Sequence, residues 1–149
     1  MKTIYKALQR GEQIPLYMTF TGSLMSNTAY CTLSAKVNEK TKVVCTLEQR
    51  VLNRDEATVK SLLNFVELLN RQAELNKGVS FKSLFRAKSP LLMQAINNRL
   101  LCVSQSDYIT PVTNNICTLE QIGMLLAVLG YDFIPQYTAH DITYIVKKY

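Results

Sequence analysis

The residues that could do covalent or metal chemistry are few and poorly spaced. There are four cysteines, Cys31, Cys45, Cys102 and Cys117, and one histidine, His140. No two cysteines lie within four residues of one another, so the chain has no zinc-ligand pair. His140-Asp141 are the only neighbouring ligand types near the end. A cysteine nucleophile paired with His140 needs an electropositive, partly open setting. Cys31 and Cys45 fall on the core side of strand-like runs, while Cys102 and Cys117 border an irregular stretch and are less constrained. The five glycines are isolated and no G-x-G occurs, so there is no phosphate-cradling loop. Asp55-Glu56 is the only adjacent acidic pair, and a helix start explains it. These residues predict a non-enzymatic protein with no metal and no cofactor.

Charge is more informative. The 149 residues carry 17 Lys and Arg against 11 Asp and Glu, a formal net charge of +6, with a pI near 9.2. Residues 1–50 hold 7 basic and 3 acidic groups, residues 51–100 hold 8 and 4, and residues 101–149 hold 2 and 4. The densest excess is in 71–99, where Arg71, Lys77, Lys82, Arg86, Lys88 and Arg99 face one acid, Glu74. Such a cluster attracts a phosphate backbone. A solvated face that keeps the chain soluble is the plainer alternative.

The same segment has a helix–turn–helix outline. Phe81–Arg86 forms the first helix, Ala87-Lys88-Ser89 the turn, and Pro90–Leu101 the second helix. Gln94, Asn97, Asn98 and Arg99 lie on the polar side of the second helix. Gln and Asn can pair with adenine in a major groove, and Arg with guanine. Further on, Thr118-Leu119-Glu120-Gln121 through Leu129-Gly130-Tyr131-Asp132-Phe133 resembles the last helix and exit of small phage-repressor-type DNA-binding domains. Two features depart from that family: Lys82 and Arg86 fall where it has core apolar residues, and 102–117 is longer than its loops. The expectation is a small regulator that binds nucleic acid, DNA rather than RNA. Arg71, Lys77, Lys82, Arg86, Lys88 and Arg99 would take phosphate, and Gln94, Asn97 and Asn98 would take bases.

A second nucleic-acid route uses a sheet. Tyr17, Tyr30, Thr32 and Lys36 share the side of their strands opposite the expected core, and an aromatic, basic sheet face stacks single-stranded bases. The competing function class is a protein-interaction adaptor or inhibitor that meets an acidic protein surface, adding a strand at the meander edge or docking in a groove. Eight Tyr and five Met suit such an adaptable surface. The meander edge also offers a route to oligomers.

The elements that must position these residues are set by hydrophobic period. Residues 3–10 read as a short helix ended by Gly11. Residues 15–51 read as a three-stranded meander. Ala29, Cys31, Leu33, Ala35 and Val37 point one way and Thr28, Tyr30, Thr32, Ser34 and Lys36 the other, with a turn at Asn38-Glu39-Lys40. Val43, Cys45 and Leu47 continue the inward set. Residues 55–76 are the clearest helix, with Val59, Leu62, Leu63, Val66, Leu69 and Ala73 in one stripe and Lys60, Asn64, Glu67, Arg71 and Glu74 on the wet face. Thr118–Gln121 forms a capping box before a buried helix that ends at Gly130, and Tyr131–Ile134 suits a short strand. Thr138–Asp141 resembles another capping box, so 139–149 leans to helix although its β-branched residues also suit a strand. Cys-Thr-Leu-Glu-Gln occurs at 45–49 and again at 117–121, without a repeat around it.

The expected fold is therefore α+β: an N-terminal three-stranded antiparallel meander packed on a long helix, followed by a mainly helical C-terminal half. No Pro-, Gly- or Ser-rich linker divides the chain, so 1–149 reads as one domain, softly divisible into 1–78 and 79–149. No apolar run reaches the roughly 20 residues of a membrane span. Lys2, Lys6 and Arg10 interrupt any signal-peptide core. The cysteine usage fits a reduced, cytoplasmic protein.

Overall fold

A computed structural model describes residues 1–23, 28–49, 54–77 and 119–149. Their order is α1 (Lys2–Gln9), β1 (Ile14–Ser23), β2 (Thr28–Val37), β3 (Lys40–Gln49), α2 (Arg54–Leu75), α3 (Leu119–Leu129), β4 (Tyr131–Tyr137) and β5 (Ile142–Lys148). The strands form one five-stranded sheet in the order β3-β2-β1-β5-β4, antiparallel throughout. This overturns the expected three-stranded meander with a mainly helical C-terminal half. The C-terminal residues return as a β-hairpin that extends the sheet on the β1 side.

The ends of the elements have local causes. Helix α1 closes in a Schellman motif: Gly11, at φ +85°, donates to Leu8 O at 3.0 Å, and Glu12 donates to Ala7 O at 3.1 Å. Between β2 and β3 only Asn38 and Glu39 turn the chain, both at positive φ, as the two-residue type I′ hairpin demands. Helix α2 begins with Asp55 and Glu56 in its first turn, where carboxylates suit the positive dipole end. It stops at Asn76 and Lys77, with Lys77 at φ +52° in the place where glycine is favoured. Gly130, at φ +98°, releases α3 into β4.

Where the expected C-terminal helix fails, the cause is visible. The hydrogen bond that suggested a helix cap does form: the Asp141 N–H donates to Thr138 Oγ1 at 3.0 Å. It closes a turn, since the Thr138 N–H also donates to Asp141 O at 2.8 Å, and the chain continues as β5. There Thr143–Val146 gains strand partners on both sides, β1 and β4. His140 lies in that exposed turn and not in a helix. One inward assignment in β3 also fails. The register slips between Leu33 and Ser34, which pair with Cys45 and Val43, so Val44 is extra. This bulge leaves Cys45 facing the core and turns Val43 to the other side, where it is 65% exposed.

Among the described residues one core lies between the sheet and the helices. It joins Ile4 and Leu8 of α1, Leu62, Phe65, Val66 and Leu69 of α2, and Ile122, Leu125, Leu126 and Leu129 of α3. These meet Ile14, Leu16, Leu33, Ala35, Tyr144 and Val146 from the strands. Phe65, absent from the stripe read in the sequence, is fully buried. Gln9 ties α1 to the far hairpin: its amide donates to the Tyr131 hydroxyl at 2.8 Å, and Lys148 Nζ donates to its carbonyl at 2.8 Å.

Candidate nucleic-acid interface

Of the nine residues expected to contact nucleic acid, Arg71 and Lys77 lie among the described residues. Lys82, Arg86, Lys88, Gln94, Asn97, Asn98 and Arg99 lie outside them, as do the helix–turn–helix outline, Cys102 and Cys117. Arg71 is exposed, but its Nη2 lies 2.6 Å from Glu67 Oε1 one helical turn away, so its charge is largely balanced. Lys77 is exposed at the end of α2. Leu119–Leu129 is a helix ended by Gly130, but the chain then enters the seven-residue strand β4 and not the exit of a helical repressor domain.

The other expected surface is brought together. The inward residues of β1 and β2 pack under the helices, so the alternate residues face the side with no described helix. Tyr17 pairs with Ser34, Thr19 with Thr32 and Thr21 with Tyr30, and Lys36 lies two residues from Ser34 on the same side. Tyr17, Tyr30, Thr32 and Lys36 therefore share one face. Threonines extend it on both sides: Thr46 opposite Thr32, Thr41 opposite Lys36, and Thr143 opposite Tyr17. The Tyr17 hydroxyl shares a hydrogen bond with Thr41 Oγ1 at 2.9 Å, and Thr32 with Thr46 at 3.3 Å. These bonds fix the side chains across strands. Tyr30 is 42% exposed. Four residues and one strand separate it from Tyr17, about 14 Å at ordinary strand spacings.

Positive charge gathers at one rim of this face. Lys36 stands on the face itself, while Lys40 and Lys42 pair with Val37 and Ala35 and so lie toward the helix side of the exposed β3 edge. Ion pairs among the described residues join Arg10 to Glu12, Lys60 to Glu56 and Arg71 to Glu67, and none includes Lys36, Lys40 or Lys42. Charge density along the chain does not single out Lys40 and Lys42. Their signal is the tight turn at Asn38-Glu39, which folds Lys36, Lys40 and Lys42 onto one hairpin end.

The remaining reactive groups are quiet. Cys31 and Cys45 are free thiols beneath α2. Cys31 Sγ lies 3.7 Å from Ser61 Oγ, and Cys45 donates to Ser61 O at 3.8 Å. Burial pushes both thiols up, more than their hydrogen bonds with Ser61 and its neighbours pull them down. A protonated, covered thiol is a poor nucleophile. His140 sits at the exposed β4–β5 turn, away from both. Among the described residues no group of three His, Cys, Asp or Glu could hold a metal, and no helix is long and apolar enough to cross a membrane. Comparison with protein-family models, with curated proteins and with solved structures gives no match to this chain.

Proposed function

We propose that this protein is a non-enzymatic regulator that binds single-stranded nucleic acid across the open face of its sheet. The observation that carries the reading is that Tyr17, Tyr30, Thr32 and Lys36 share one side of the sheet, on which no described helix lies, with Lys40 and Lys42, in no ion pair among the described residues, at the adjoining β3 edge. Every base has a π-face, so two tyrosines about 14 Å apart along the strands give stacking platforms that tolerate sequence. The lysine rim supplies phosphate contacts. Threonine hydroxyls between the platforms donate and accept hydrogen bonds from base edges or sugars. The basic segment 71–99, with Lys82, Arg86, Lys88 and Arg99 for phosphate and Gln94, Asn97 and Asn98 for bases, is the alternative site for the same ligand class.

The test is fluorescence anisotropy with a labelled 12-nucleotide single strand and a matching duplex, at several salt concentrations. The single strand should bind more tightly, and three lysine contacts give a log–log salt slope of about −2. Replacing Lys36, Lys40 and Lys42 together with Glu should abolish binding. A preference for duplex that survives this change and is lost on reversing Lys82, Arg86 and Lys88 would move the site to 71–99. Absence of binding to either probe at low salt would remove the nucleic-acid reading altogether.

A further inference from the structure

Sheet edges attract extended chains because their N–H and C=O groups lack partners, and folded proteins blunt them with charge, proline or bulges. Both outer edges here are blunted. Strand β3 carries Lys40, Lys42 and the Val44 bulge, and β4 carries Pro135. A third edge lies inside the sheet. Strand β5 pairs with β1 only at residues 14–17, whereas β2 accompanies β1 on to Ser23. From Met18 to Gly22, β1 therefore has no strand on its β5 side among the described residues. This stretch, Met18-Thr19-Phe20-Thr21-Gly22, has no proline, no charge and no bulge.

The notch has a defined shape. Its lower end is the tip of the β4–β5 hairpin, where Ile142 and Tyr137 pair on the helix side and remain 39% and 72% exposed. Its helix-side wall includes Phe20 and the first turn of α2. The Arg54 guanidinium lies 5.0 Å from the centre of the Phe20 ring. A guanidinium stacked on an aromatic face keeps its in-plane N–H groups for a carboxylate, and none of the ion pairs among the described residues includes Arg54.

We propose that the free edge of β1 at residues 18–22 takes up an extended segment of a partner protein. The segment runs antiparallel to β1 and in line with β5, with its C-terminal end meeting Ile142. It presents apolar side chains toward Phe20, Ile142 and Tyr137, and one carboxylate to Arg54. Five residues of free edge span about 17 Å, enough for a short strand. The overall charge of +6 also favours an acidic segment. This site is separate from the open sheet face and does not depend on nucleic-acid binding.

The probe is a labelled heptapeptide of alternating threonine and valine with glutamate at the centre of the valine row. Two companions carry lysine or proline in place of the glutamate. Binding is measured by anisotropy and mapped by amide shifts on isotope-labelled protein. The glutamate peptide should bind with shifts confined to residues 18–22, Arg54 and Ile142. The lysine peptide should bind about tenfold more weakly, which corresponds to one charge-assisted hydrogen-bonded contact, and the proline peptide should not bind. Arg54→Gln should remove the difference between the glutamate and lysine peptides. No binding, equal binding of the glutamate and lysine peptides, or shifts that map to β3 or β4 would each overturn the proposal.

Discussion

The two faces of the sheet are made by the same strands from different residues. Toward the helices, β1 and β2 present Ile14, Leu16, Cys31, Leu33, Ala35 and Val37, all of them buried. Toward the open side the same strands present Tyr17, Thr19, Thr21, Tyr30, Thr32 and Lys36. The inner face is aliphatic because its role is to be removed from water; each fully buried Leu or Ile contributes about 1.5–3 kcal/mol. The outer face keeps strand-favouring types but ends most of them in hydroxyls and an ammonium that reach water; Ser34, on the same side, is buried. Stability should therefore depend on one face and binding on the other.

The sharpest contrast is in folding. Phe65→Ala empties a fully buried site under the sheet and should cost about 3–5 kcal/mol, read as a fall in the urea midpoint. Next comes binding: Tyr30→Ala should leave that midpoint nearly unchanged yet cost about 1–3 kcal/mol in affinity for single strands. If Tyr30→Ala unfolds the chain instead, the open face belongs to the core and the contrast fails.

Backbone positions give effects of about 1 kcal/mol. Gly130→Ala forces a side chain into φ +98° and should destabilise by that amount or more. Lys77→Gly relieves a lysine at φ +52° and should stabilise by up to about 1 kcal/mol while removing one charge. Smallest is Thr32→Ala, which removes a weak 3.3 Å hydroxyl contact with Thr46 and should fall within about 0.5 kcal/mol.

The pH dependence belongs to the inner face. Cys31 and Cys45 are raised above the ordinary thiol value of 9.0, and Tyr131 and Tyr144 above the ordinary phenol value of 10.0, burial being the largest cause for each. The native state thus favours the neutral forms. The stability they contribute is complete below the unfolded values and is lost as pH rises through the raised native ones. Urea midpoints should be insensitive to these groups at pH 7 and decline above pH 9. A midpoint that rises there would contradict the assignment.

Period-two alternation over 28–37 was enough to place Tyr30, Thr32 and Lys36 opposite Cys31 and Leu33, and so to place the candidate face. It failed where burial does not alternate. Tyr144, Ile145 and Val146 are buried in succession because Ile145, on the open side, lies between Ile134 and Pro15. Three consecutive buried residues do not read as a two-sided strand, and the Thr138–Asp141 bond serves a turn as well as it serves a helix. The bulge at Val44 is also silent in sequence. The shared pentapeptide shows the limit most directly: Leu-Glu-Gln lies in β3 at 47–49 and in α3 at 119–121. Local sequence allowed both, and packing against β2 or against β4 decided.

Binding by the open face, with the helix layer uninvolved, is tested most directly by an amide-shift titration of isotope-labelled protein with a 12-nucleotide single strand. Shifts are expected at Tyr17, Thr19, Tyr30, Thr32, Lys36 and Lys40, with α1, Leu62–Leu69 and α3 unmoved. Shifts that gather on the helices and leave Tyr17 and Tyr30 unchanged would contradict binding at the open face.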